Sequence, residues 1–349
     1  MSVVRGEAEV IEGAAAGVVG ASDGAAAASP CETGDAIARG ESFFRKRFWR
    51  GVIAAIVGGA FWGFSGTCAQ YLYQHYTIDP LFITWVRMLG SGVLFLLLLA
   101  FTQRERLMGI ARDRGDLARL ALFGTVGLFL CQFTYTTSVN ATNAGTATVL
   151  QSLNTVFILA ATCLMARRGP RPMELGGLAL ALIATWLIAT QGNPTALMIP
   201  LAGLVWGLIN AASCTFYIMY PKKLFARWGS LPVTGIGMFF GGVAAVAIWA
   251  LGGLRGAPPV VPALGLDGIL VLAAIVVVGT LAAFGLYLHG VSIVGSVKGG
   301  LLGTTEPASA MIFAALWLGT MFTWADWLGL VLMVAMIFLV TLSGAKGQK

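Results

Sequence analysis

Long apolar runs alternate with short polar gaps along most of this chain, from Gly51 to Leu342. Each run holds about twenty residues, which is the length that an α-helix needs to cross the hydrocarbon core of a bilayer. The pattern therefore predicts an all-α membrane protein with ten transmembrane helices. Their predicted bounds are 51–73, 80–102, 117–139, 144–166, 173–190, 199–220, 232–251, 268–288, 299–318 and 327–343.

The Lys and Arg residues lie almost entirely in alternate gaps between these runs, and the intervening gaps hold only Arg255. Short loops that carry positive charge remain in the cytoplasm. The charges therefore predict that both termini are cytoplasmic, which agrees with an even number of crossings. The gaps that carry the cations are 45–50, 104–114, 167–171, 222–227, 298 and 346–349.

The composition is also that of a chain surrounded by lipid. Hydrophobic residues make up 58% of the chain and charged residues 11%, which would leave a soluble protein too little polar surface to cover itself. The net charge of +7 lies in loops where the orientation of the chain in the membrane explains it, so no nucleic-acid partner is expected.

The five cysteines lack metal-ligand spacing, so no metal or cofactor is expected. Those inside the spans are interpreted as small core residues. The five cysteines are Cys31, Cys68, Cys131, Cys163 and Cys214.

The apolar part of the chain contains an internal repeat. Segment 132–177 aligns without a gap with 284–329, so that Tyr135 falls on Tyr287 and Glu174 on Asp326. We therefore divide the chain into a first five-helix repeat and a second one. Because five crossings end on the opposite side of the membrane, the second repeat is inverted. Inverted repeats are typical of secondary transporters, which bind their substrate near the midplane between the copies. The repeats are 45–193 and 194–343, between a disordered cytoplasmic tail at 1–44 and a cytoplasmic tail at 344–349.

Six stretches of the chain resemble the EamA family of the drug/metabolite transporter superfamily, and within it the YicL-like permeases. The resemblance implies ten helices in two inverted halves, an inner-membrane location and transport of small organic metabolites, without fixing one substrate. The chain departs from the family pattern at Thr155, where a proline is common, and at Arg168 and Thr320, where a loop glutamate is common. The matching stretches are 62–71, 144–151, 191–195, 220–221, 306–307 and 326–329.

Two charged side chains stand out well inside predicted spans, Arg87 in the second and Glu306 in the ninth. A charge at that depth costs about 3 kcal/mol unless it is paired or hydrated. Arg87 is a candidate for recognising substrate charge and Glu306 for coupling to protons or cations, and a purely structural role stays open for both. Pro307 predicts a helix break beside Glu306, and Asn154 occupies the matching position in the first repeat.

Aromatic side chains recur at repeat-related positions, where they could surround an organic cation or simply pack the helices. The sequence thus gives a hypothetical central site, in which Glu306 supplies the negative charge. Gly-x-x-x-Gly patterns at 59–63, 203–207 and 295–303 predict close approach of the first, sixth and ninth helices. The residues predicted to bind substrate are Trp62, Tyr135, Gln151, Asn154, Trp206 and Tyr287.

These features favour a carrier that moves a small organic solute, such as an amino acid or an amine, across the inner membrane by alternating access. Its expected partners are the solute, protons and the lipid bilayer. An intramembrane serine hydrolase that uses Ser65 is an alternative, because Gly63–Gly66 has the Gly-x-Ser-Gly form. That reaction needs a nearby histidine, and His75 and His289 are poorly placed, so no enzyme is expected. A channel or a membrane scaffold is a third alternative.

Overall fold

The computed structural model describes residues 30–193, 197–254 and 261–346, and all regular secondary structure in these ranges is helical. The first repeat contains Pro30–His75, Pro80–Thr102, Arg104–Arg112, Arg114–Leu122, Phe123–Leu128, Phe129–Ala141, Ala144–Gln151, Asn154–Met165 and Pro172–Thr190. The second contains Leu201–Met219, Lys222–Trp228, Ser230–Leu254, Leu266–Val276, Val277–Ala282, Ala283–Val294, Ser296–Leu302, Thr305–Leu318 and Trp324–Lys346.

Ten membrane spans are confirmed in the part of the chain that the structure describes, each long and apolar enough to cross a bilayer. Most bounds agree with the prediction within three residues, and span 2 agrees at both ends. Span 6 runs beyond its predicted end because a second helix, Lys222–Trp228, follows a turn at Tyr220 and Pro221. Span 8 does so because its helix continues to Val294. Spans 1 to 10 are Phe48–His75, Pro80–Thr102, Arg114–Ala141, Ala144–Met165, Pro172–Thr190, Leu201–Trp228, Ser230–Gly252, Leu266–Val294, Lys298–Leu318 and Trp324–Leu342.

The structure differs in part from the disordered tail predicted at residues 1–44. The helix that contains span 1 begins at Pro30, so residues 30–44 are helical. Residues 1–29, Arg255 and residues 347–349 lie outside the described residues. The cytoplasmic placement of both termini stays a prediction.

Three pairs of equivalent helices from the two repeats contact each other, as expected for helices near a pseudo-twofold axis. Span 2 packs on span 7, span 4 on span 9, and span 5 on span 10. Span 3 packs on span 6, and the matching pair, spans 8 and 1, meets at Gly290 and Gly58. The predicted close approach also occurs elsewhere, since Gly63 lies against span 9 and Gly207 against Leu150 of span 4.

Spans 3, 4, 8 and 9 depart from regular α-helix in two repeat-related pairs. Spans 3 and 8 each contain a six-residue π-helical segment, Phe123–Leu128 and Val277–Ala282. Spans 4 and 9 are interrupted between Gln151 and Asn154 and between Leu302 and Thr305. π-Segments and broken helices free backbone groups and side chains for other contacts, and they occur often at functional sites.

Span 8 offers a test of the predicted close packing. A methyl group at Gly290 would lie 2.5 Å from the backbone nitrogen of Ala55 and 2.6 Å from the carbonyl oxygen of Gly51, whereas Gly285 has nothing within 4 Å. We expect Gly290→Ala to cost about 1–3 kcal/mol, because two backbones must separate. Gly285→Ala in the same helix should leave stability unchanged or slightly higher. Thermal unfolding of the purified variants measures both, and equal melting temperatures would contradict this packing.

Candidate functional site

A cavity of about 790 Å³ lies between the two repeats. Its deep end is lined by Tyr135 and Thr148, which are both buried. Its wall continues to Thr162, Ser292 and Gly300, which are exposed. The cavity therefore opens at the end where spans 4 and 8 finish. Its volume is in the range of pockets that enclose a small organic molecule.

The interruptions of spans 4 and 9 both face this cavity. Glu306 lies in the first turn of Thr305–Leu318, where the positive end of the helix dipole favours a carboxylate. The Gln151 amide nitrogen donates to its Oε1 at 3.3 Å, and the partly buried Glu306 lines the cavity. The two interruptions thus bring a carboxylate and an amide from opposite repeats into contact.

Asn154 and Pro307 flank the same interruptions, and both line the cavity. Asn154 opens its half-helix, and its Oδ1 accepts a hydrogen bond from the Thr155 hydroxyl at 3.2 Å. Pro307 does not mark the break itself. The interruption lies at Gly303 and Thr304, and Pro307 sits in the first turn of the next helix, where a missing N–H costs nothing.

Arg87 projects from span 2 to the π-segment of span 8. Its Nε donates to Thr280 Oγ1 at 2.9 Å and its Nη2 to the Gly279 carbonyl at 3.4 Å. The residue is 5% exposed yet contributes to the cavity wall. These contacts join the two repeats, which supports a structural role for Arg87. Because the guanidinium also lies in the cavity wall, it can attract an anionic group in the cavity.

Most of the predicted aromatic residues reach the cavity. Trp62 packs on Tyr287 and Phe284, with ring centroids 4.6 and 4.9 Å apart, and all three line the wall. The Tyr135 hydroxyl is 3.0 Å from Thr148 Oγ1. Trp206 does not line the cavity. Because span 6 turns this side chain toward span 3, it packs edge-on against Phe133, with centroids 5.9 Å apart.

The opposite end of the bundle is held together by two sets of hydrogen bonds. Gln70 of span 1 donates to Thr320 Oγ1 at 2.8 Å and accepts from the backbone N–H of Ala144 at 2.8 Å. The hydroxyls of Tyr71 and Tyr76 both donate to Asp267 Oδ2, at 2.9 and 2.7 Å. Span 1 is therefore tied to spans 4 and 8 and to the connection before span 10.

The open end carries an ion pair beside the loop between spans 4 and 5. This loop is the repeat equivalent of the loop between spans 9 and 10, which contains Thr320. Arg168 contacts Glu174 through two hydrogen bonds of 2.8 and 2.9 Å, and both residues line the cavity mouth. The carboxylate raises the pKa of the Arg168 guanidinium above its usual value. The sequence alignment of Arg168 with Thr320 was the signal that these two positions are related, yet it gave no indication of their partners.

Several cavity residues escaped the sequence reasoning, among them Thr148 and the pair Cys131 and Cys214. Small polar residues on apolar helices are too common to mark a site by themselves. A signal did exist for Thr148, because it lies one helical turn from Gln151 and Ser152 and faces the same side.

The serine hydrolase alternative finds no support in this geometry. Ser65 is 1% exposed and lies against Gly279 of span 8, and its hydroxyl has no hydrogen-bond partner among the described residues. His75 Nδ1 is 3.0 Å from the carbonyl oxygen of Tyr71 near the end of span 1, and His289 is exposed.

Ten spans in two inverted repeats, around a cavity with broken helices on both sides, define the architecture of a membrane transporter. Comparison of the sequence with family models shows that the chain belongs to the EamA-like transporter family, which matches residues 49–190 and 201–342. The two matches coincide with the two repeats.

Relatives and a solved structure agree with this assignment. The uncharacterized inner membrane transporter YicL of Salmonella typhimurium is 35% identical over 299 residues, covering 85% of this chain and 97% of the relative. An uncharacterized transporter of Clostridium kluyveri is 23% identical over 276 residues, which are 77% of this chain and 86% of the relative. A solved crystal structure with 16% identity has a TM-score of 0.59 over 85% of this chain and 99% of its own, so the fold is shared.

Proposed function

We propose that this protein is a secondary transporter that carries a small amine-bearing metabolite, cationic or zwitterionic, across the inner membrane by alternating access. The observation that carries the proposal is the cavity between the repeats, with Glu306 beside the break of span 9. A carboxylate at this depth is costly, and charged side chains inside spans therefore mark sites of binding or coupling. With both termini in the cytoplasm, spans 4 and 8 also end on the cytoplasmic side. The cavity, which opens at those ends, therefore opens inward.

The chemistry of the wall supports an amine as the recognised group. Glu306 supplies negative charge, and Trp62 and Tyr287 form an aromatic surface along the same cavity. A carboxylate beside aromatic faces attracts an ammonium group both by charge and by cation–π contact. Tyr135, Gln151 and Asn154 add hydroxyl and amide groups that can orient the remainder of the solute.

The two ends of the bundle support alternating access. One end is open to the cavity, and the other is joined by Gln70 and by the contacts of Asp267 with Tyr71 and Tyr76. Because the repeats are inverted, exchanging the arrangements of the two ends produces the outward-open state. The broken spans 4 and 9 cross at the centre, where small rotations change access from one side to the other.

Thermal stabilisation tests the substrate class. The purified protein is melted with amino acids, polyamines, choline-like amines, nucleosides and organic acids, since a ligand bound to the folded state raises the melting temperature. We expect amines or amino acids to stabilise it and organic acids not to. Each ligand that stabilises is then tested for counterflow in proteoliposomes, which a carrier supports and a channel does not. Stabilisation by anions alone, or ligand flux without counterflow, would contradict the proposal.

A further inference from the structure

Two cysteines from different repeats meet in the cavity wall. Cys131 of span 3 and Cys214 of span 6 have their sulfur atoms 2.6 Å apart, which is closer than an ordinary non-bonded contact of two sulfurs and nearer to the length of a disulfide bond. Both are buried, at 8% and 3% exposure, and both line the cavity. They are the small core residues that the sequence predicted, but they also face each other and an open space.

The surrounding backbone holds the two thiols together. Asn210, one turn before Cys214, donates from its amide to the Cys131 carbonyl at 2.7 Å and to Thr134 Oγ1 at 3.1 Å. Span 3 and span 6 are thereby joined at the level of the sulfurs. The two sulfurs, 2.6 Å apart, lie within about 0.6 Å of the length of a disulfide bond, so a small movement of the side chains brings them to bonding distance.

We infer that Cys131 and Cys214 form a reversible oxidation site, at which a disulfide links the first repeat to the second. The oxidant is a small hydroperoxide that enters through the cavity mouth. One thiol attacks the peroxide oxygen, the O–O bond breaks, and the sulfur becomes a sulfenic acid while water or an alcohol leaves. The second thiol then attacks this sulfur, the S–O bond breaks, and the disulfide forms with release of water. A dithiol reductant reverses the step by exchange.

The consequence of the bond is a covalent tether across the repeat boundary. Cys131 lies 83 residues before Cys214, so the disulfide closes a long loop of the unfolded chain and removes much of its freedom. We therefore expect the melting temperature to rise by roughly 5 °C on oxidation. The inference does not depend on which solute the cavity carries.

The position of the cysteines along the chain makes a sharp test available. Cys214 is the one cysteine after residue 193, while Cys31, Cys68, Cys131 and Cys163 precede it. Any disulfide that joins the two halves must use Cys214, and replacing Cys131 shows whether it is the partner. A protease site is introduced into the full-length protein at residues 191–200, between spans 5 and 6.

The purified protein is treated with hydrogen peroxide, cleaved at the new site and separated under non-reducing denaturing conditions. We expect the halves to remain joined after oxidation and to separate after dithiothreitol. Intact mass should fall by two hydrogen atoms. Cys131→Ser and Cys214→Ser should separate under both conditions, whereas Cys68→Ser and Cys163→Ser should behave as the parent does. Separation of the oxidised parent, or linkage that survives in Cys131→Ser, would overturn the inference.

Discussion

Glu306→Gln is expected to lower pH-driven uptake of the solute by about tenfold or more, because a charged hydrogen-bond partner of an ammonium group contributes roughly 1.5–3 kcal/mol. The variant keeps the shape of the side chain and its contact with Gln151, which is 3.3 Å away. What it removes is the charge that faces the cavity and the group that can take up a proton. Uptake into proteoliposomes with an imposed pH difference measures the effect.

Two matched variants separate coupling from folding. Glu306→Asp keeps the charge on a shorter side chain and should retain part of the uptake and its dependence on pH. Gln151→Leu removes the amide that contacts Glu306, and should weaken binding without abolishing the pH dependence. If Glu306→Gln transports at the parent rate with the same response to pH, the proposed coupling role is wrong, whatever the melting temperature of the variant.

The spans were predictable because lipid imposes one rule on every crossing segment. Apolar length and loop charge set the ten helices, and the offset between Tyr135 and Tyr287 identified the repeat. The interruption of span 4 was not predictable, since Thr155 stands where Pro307 stands in span 9. The regular helix stops at Ser152 and Leu153. There the backbone forms hydrogen bonds between residues three apart, such as that from the Thr155 N–H to the Ser152 carbonyl at 3.2 Å.

The side-chain environment of the site was predictable only in part. Residues near the broken helices, Gln151, Asn154 and Glu306, were identified because polar groups at depth require a reason. Trp206 was placed at the site by its repeat relation to Trp62, yet it packs on Phe133 instead. Inverted repeats align backbones, while the rotation of each helix and the size of its neighbours determine which side chains face the cavity.

Thr280→Val is expected to destabilise the folded protein by about 2–4 kcal/mol, since the buried Arg87 loses the shorter of its two hydrogen bonds and keeps only the longer one to the Gly279 carbonyl. Arg87 Nε donates to Thr280 Oγ1 at 2.9 Å, and Thr280 is fully buried. Valine has nearly the same volume as threonine, so packing changes little. The hydroxyl of Thr280 also donates to the carbonyl of Ile275, just before the π-segment, at 2.9 Å, and this hydrogen bond is lost too.

Thermal unfolding of three variants distinguishes the loss of the acceptor from a general effect of mutation in span 8. Thr280→Ser keeps the hydroxyl and should melt near the parent temperature. The double variant Arg87→Met and Thr280→Val replaces both partners with apolar groups, so it should be more stable than Thr280→Val alone. If the double variant is the less stable of the two, Arg87 has another acceptor when Thr280 is removed. In that case the guanidinium is available to the cavity, and its role in attracting an anionic group of the solute gains weight over its role in joining spans 2 and 8.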